Sequence, residues 1–103
     1  MMAKKKATAL HLSFDGKSYP YIPGDITARM RRQVRQVTGI PVLQAERAMS
    51  DRESIDLDMA LVMFYAGALL AGDDPNFEAL LDEVTQDNPI TAEYREVEDD
   101  PET

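Results

Sequence analysis

The residues able to do chemistry are few. A single histidine, His11, stands close to Ser13 and Asp15, and imidazole, hydroxyl and carboxylate are the groups from which hydrolytic triads are assembled. Neighbours along one strand do not form a triad, and a general base or metal site on His11 would need partners converging from other elements. His11 therefore reads as a surface strand histidine. Asp73-Asp74 and Asp99-Asp100 are adjacent carboxylates, but a catalytic pair must flank a pocket; the first reads as part of a helix cap and the second as part of a tail. There is no cysteine, which removes thiol nucleophiles, thiolate metal sites and disulfides. The five glycines are scattered as turn, cap and packing residues, so no phosphate-cradling loop is present. Neither an enzyme nor a cofactor or metal is expected.

Two groups of residues remain as candidates for binding. Arg29, Arg31, Arg32 and Arg35 form a cationic cluster able to grip phosphates or to make another electrostatic contact. Leu61, Phe64, Tyr65 and Leu69 lie in an apolar, methionine-containing segment that could cover a partner helix or a second copy. The plain alternatives are a solvated face paired with acids for the arginines, and core for the apolar group.

The elements that must position these residues follow from periodicity. Leu10, Leu12 and Phe14 alternate with His11, Ser13 and Asp15, the period of a half-buried strand over residues 9–14. Asp15-Gly16 predicts a two-residue hairpin turn. The return strand runs from Lys17 to Ile22, and Pro20, lacking an N–H, assigns it to an edge. After Pro23-Gly24, Asp25 is the predicted cap of a first helix burying Ile26, Met30, Val34 and Val37, with the arginines on its other side. Gly39 ends it in a left-handed turn. Pro41 opens a short second helix, Val42 to about Met49. Ser50-x-x-Glu53 and Asp56 compete to cap a third helix, Leu57 to Ala71, which is apolar on nearly every side and so reads as central. Asp74-Pro75 starts a fourth helix carrying Phe77, Leu80, Leu81 and Val84 on one face. Residues 88–103 have few apolar groups and many acids, which predicts a disordered tail.

The predicted fold is α+β: an N-terminal β-hairpin packed on a small bundle of about four helices. It comprises a basic flexible stretch (1–8), one domain (9–87) and an acidic disordered tail (88–103). At 103 residues and 44% hydrophobic content, the chain suits one small domain with a modest core. The net charge of −8 is uneven. Residues 1–50 carry nine Lys or Arg against Asp15, Asp25 and Glu46, a net of +6, whereas residues 51–103 carry two Arg against sixteen acids, a net of −14. The plain reading of that asymmetry is two solvated faces that aid solubility; the sharper ones are head-to-tail self-association or a basic protein partner for the acidic half, and the net −8 works against DNA affinity. No export signal is apparent, and the longest apolar run, Met59 to Ala71, falls short of the roughly 20 residues needed to span a bilayer.

The order of features resembles the tail assembly chaperones of long-tailed bacteriophages, notably those of actinobacterial hosts. Phe14-Asp15-Gly16-Lys17-Ser18-Tyr19 is similar to their opening hairpin. A basic helix ending in Arg35-Gln36-Val37-Thr38-Gly39 follows, then a short helix, an apolar helix and Phe77-Glu78-Ala79-Leu80-Leu81-Asp82-Glu83-Val84. One departure is Leu69-Leu70-Ala71, where relatives carry more basic residues. The resemblance implies a non-enzymatic assembly role in the cytoplasm of a bacterial host. Such chaperones bind the tape measure protein before the tail tube polymerises around it and are not expected in the mature virion. It also implies self-association and a frameshifted longer version of the chain as partners. A small acidic regulatory protein, such as a nucleic-acid mimic that inhibits a host DNA-binding protein, is the alternative. A DNA module built on the arginine helix is a third reading: a short turn joins that helix to a second one, but the second carries only Arg47 as a base.

Overall fold

The computed structural model describes residues 6–50 and 56–98. The element order is β1 (Lys6–Phe14), β2 (Lys17–Tyr21), α1 (Ala28–Thr38), α2 (Val42–Ser50), α3 (Leu57–Leu70), α4 (Phe77–Glu83) and β3 (Thr91–Glu98), with one short 3-10 turn at Pro23–Asp25. The three strands form an antiparallel sheet in the order β2-β1-β3. The fold is α+β, as the sequence predicts, with the hairpin laid on the helices.

The hairpin forms because Asp15 and Gly16 both adopt positive φ, 53° and 80°, the combination whose twist matches paired strands. Register places Leu10 opposite Tyr21 and Leu12 opposite Tyr19, so Leu10, Leu12, Phe14, Tyr19 and Tyr21 share one buried face. β2 is an edge strand, as Pro20 requires.

α3 lies across β2 and β1 on that face. Every residue from Ala60 to Ala68 is buried, which is why the segment has no polar side. Each of its large side chains contributes about 1.5–3 kcal/mol through burial. α1 and α2 pack on α3 from the other side, contributing Val34, Val42, Ala45 and Met49 to the core. α4 adds Phe77 and Leu80, with Val84 following it.

Helix ends are set by side-chain caps. The cap of α1 is Thr27, whose hydroxyl accepts from the Met30 N–H at 3.1 Å. Asp25, the predicted cap, is drawn instead into the 3-10 turn, where its N–H donates to the Ile22 carbonyl at 3.0 Å. Asp56 caps α3 through the Met59 N–H at 3.0 Å. Ser50 ends α2, and Asp51 to Glu53, with the predicted capping box, fall outside the described residues. Asn76, two residues beyond Asp74, caps α4 through the Ala79 N–H at 3.2 Å. Gly39 has φ of 81° and its N–H donates to the Arg35 carbonyl at 2.8 Å, the left-handed stop read from the sequence.

Two boundaries differ from expectation. β1 begins at Lys6, inside the stretch assigned to a flexible N-terminus. Thr91–Glu98, inside the predicted disordered tail, forms β3 and pairs with β1 from Lys6↔Glu98 to Ser13↔Thr91. The composition is poor in apolar residues, yet an edge strand needs only main-chain bonds and a template, and β1 supplies the template. Residues 99–103 and 1–5 lie outside the described part of the chain.

Candidate functional site

The two sequence candidates have different fates. Leu61, Phe64 and Tyr65 are 4%, 2% and 1% exposed, and Leu69 packs half-buried against the same core. Phe64 makes edge contacts with the rings of Tyr19 at 5.1 Å and Phe14 at 6.2 Å. Tyr65 does the same with Phe77 at 5.8 Å. Leu61, Phe64 and Tyr65 are therefore core, which corrects their reading as a partner or self-association surface, whereas Leu69 stays partly exposed at the edge of that core. The sheet and α4 occupy the space a partner would have filled.

The arginines do lie at the surface. Arg29, Arg32 and Arg35 are exposed along α1, while Arg31 is half-buried and pairs with Glu46 of α2 at 3.7 Å. A shallow trough on the same helix is lined by Ala28, Arg29, Arg32, Gln33, Gln36 and Val37. Its cations alternate with amides and small apolar groups, and Val37, read as a buried position, is 40% exposed. α2 offers only Arg47 as a base.

His11 sits on the sheet face turned away from the helices, between Pro20 and Glu93 in register. Ser13 donates to Ser18 across the hairpin at 2.9 Å. Among the described residues no cluster of His, Asp or Glu could hold a metal ion, and no helix is long and apolar enough to cross a membrane.

The adjacent carboxylates Asp73 and Asp74 have separate structural partners. Gly72, at φ of 88°, closes α3: its N–H reaches the Leu69 carbonyl at 3.0 Å and the Asp73 N–H reaches that of Ala68 at 2.8 Å. Just beyond this closed end, Tyr19 donates its hydroxyl to Asp73 at 2.5 Å and Tyr65 donates to Asp74 at 2.9 Å. Tyr21 donates to Glu46. Each ring is thus buried while its hydroxyl reaches a carboxylate. The Asp73 bond, helped by burial, pushes the Tyr19 phenol up to about 12. Burial and the Glu46 bond raise Tyr21, with Arg31 opposing. Burial raises Tyr65, the bond donated by Gln33 at 3.1 Å opposes, and Asp74 adds to the rise.

A second depression, about 300 Å³, is framed by Leu10, Tyr21, Pro23, Glu46, Met49, Met63 and Tyr94. Tyr94 of β3 enters it from the inner face of the sheet, opposite Leu10 in register. Sequence reasoning missed this groove because it depends on β3. The available signal was the alternation of Ile90, Ala92 and Tyr94 with Thr91, Glu93 and Arg95, which the acidic composition outweighed.

No protein-family model matches the chain, and no curated protein or solved structure matches it significantly.

Proposed function

We propose that this chain is an assembly chaperone that binds the tape measure protein of a long-tailed bacteriophage and keeps it soluble while the tail tube forms. The observation that carries the reading is the exposed trough on α1, where Arg29 and Arg32 lie between Ala28 at one edge and Val37 at the other. A long amphipathic helix with acidic flanks fits such a surface: its apolar stripe crosses the trough from Ala28 to Val37, and its acids meet the guanidiniums between them. Covering that stripe prevents the aggregation that exposed apolar helices undergo. The resemblance to tail assembly chaperones rests on the sequence, from the Asp15-Gly16 hairpin through the basic segment stopped by Gly39 to the apolar run from Met59.

On this reading the protein works in the cytoplasm of the bacterial host and is left out of the finished virion. A frameshifted longer version would share the fold and the α1 surface. The test is binding of the purified chain to segments of the tape measure protein, repeated with Arg29→Glu/Arg32→Glu. The reading expects binding to at least one helical segment, weakened tenfold or more (about 1.4 kcal/mol or more) by the double reversal, with the fold unchanged. Failure to bind any segment would remove the reading, and binding indifferent to the reversal would remove α1 as its surface.

A further inference from the structure

We propose that β3 is a self-pairing edge, through which two copies of the chain join their sheets into one six-stranded antiparallel sheet. The two edges of the sheet are unlike. β2 is five residues long and carries Lys17 and Pro20, features that block strand addition. β3 is eight residues long, contains neither proline nor glycine, and lies at the other edge of the sheet. Thr91 to Arg95 are all exposed.

For a second copy, pairing of opposite charges favours one register. A two-fold axis perpendicular to the sheet must pass through a residue facing its own copy. Centring it on Glu93 or Arg95 puts a like charge opposite itself, which is destabilising. Centring it on Tyr94 places Glu93 opposite Arg95 of the second copy and Arg95 opposite Glu93, two ion pairs from one register. Among the described side chains no like charges then face each other. Within one chain Glu93 and Arg95 already lie together on the outer face, 3.2 Å apart, so pairing would assemble four alternating charges there. On the inner face the two Tyr94 rings meet beside the groove of Leu10, Tyr21, Met49 and Met63. Tyr94, now 45% exposed, would be covered.

The net charge of −8 on each copy opposes association, and the contact belongs with weak, small interfaces. The inference does not depend on the chaperone reading. Its test is sedimentation of the full chain up to about 1 mM, with Glu93→Arg, Arg95→Glu, both together, and a mixture of the two single variants. Each single reversal sets like charges opposite each other and should weaken the dimer at least fivefold. The double variant restores opposite charges and should recover the dimer. The mixture of singles should form a heterodimer at least fivefold tighter than either single variant's homodimer. Unfolding curves for each variant separate loss of pairing from loss of fold. A chain that stays monomeric throughout, or a dimer indifferent to the single reversals, overturns the proposal. A monomer that binds the tape measure protein and loses that binding on reversal also overturns it, assigning the edge to that partner.

Discussion

Gly67 of α3 lies so close to Tyr19 of β2 that a Cβ placed on it would stand 3.1 Å from the tyrosine Cβ and 3.5 Å from the Pro20 carbonyl oxygen. The helix and the edge strand meet through a missing side chain. Gly67→Ala gains about 1 kcal/mol of helix propensity but must push β2 outward, at about 1–3 kcal/mol. A net loss of about 1 kcal/mol is expected in urea unfolding, and Gly67→Leu should lose at least about 3 kcal/mol. Gly24 has open space around it, so Gly24→Ala should change stability by less than about 0.5 kcal/mol.

Truncating Phe64 separates core from surface. Its ring contacts both Phe14 and Tyr19, so Phe64→Ala should cost about 3–5 kcal/mol. A small domain has about 5–15 kcal/mol in total, and the denaturation midpoint should fall steeply. A surface residue would leave it unmoved.

The buried tyrosines set an alkaline limit. All three phenols are raised in the folded state, Tyr19 to about 12. A group whose folded pKa exceeds its unfolded value stabilises the fold fully below the unfolded value, near 10 for tyrosine, and ceases to do so as pH rises through the folded one. Stability should therefore be steady up to about pH 10 and decline from there through about pH 12. Tyr19→Phe should flatten part of that decline and cost about 1.5–3 kcal/mol at neutral pH through the lost bond to the Asp73 carboxylate. Unfolding curves across that range, with tyrosinate absorbance followed in parallel, check both effects.

The cap of α3 is open to direct test. Asp56 accepts the Met59 N–H at the start of the helix that organises the core. Asp56→Ala should cost about 1 kcal/mol, and Asp56→Asn or Asp56→Ser much less.

Much of the fold is legible in the sequence because local signals and tertiary packing agree. The Asp15-Gly16 turn, the edge position marked by Pro20, the Gly39 stop and the all-apolar α3 each follow from one residue type or one period. Helix starts shifted where two side chains competed: Thr27 and Asn76 act as caps in place of Asp25 and Asp74. β3 was hidden because pairing with β1 is long-range and composition carries no record of it. For the candidate site, the arginine face was legible as a cluster on one helix. The burial of Phe64 and Tyr65 was not, since an apolar helix looks the same whether sheet, helices or another subunit covers it.

Co-expression with the tape measure protein of the same genome, followed by fractionation and pull-down, tests the assembly role most directly. The tape measure protein should be insoluble alone, soluble when this chain is present, and recovered with it. A tape measure protein that stays insoluble and unbound, even with any frameshifted longer version supplied, would contradict that role.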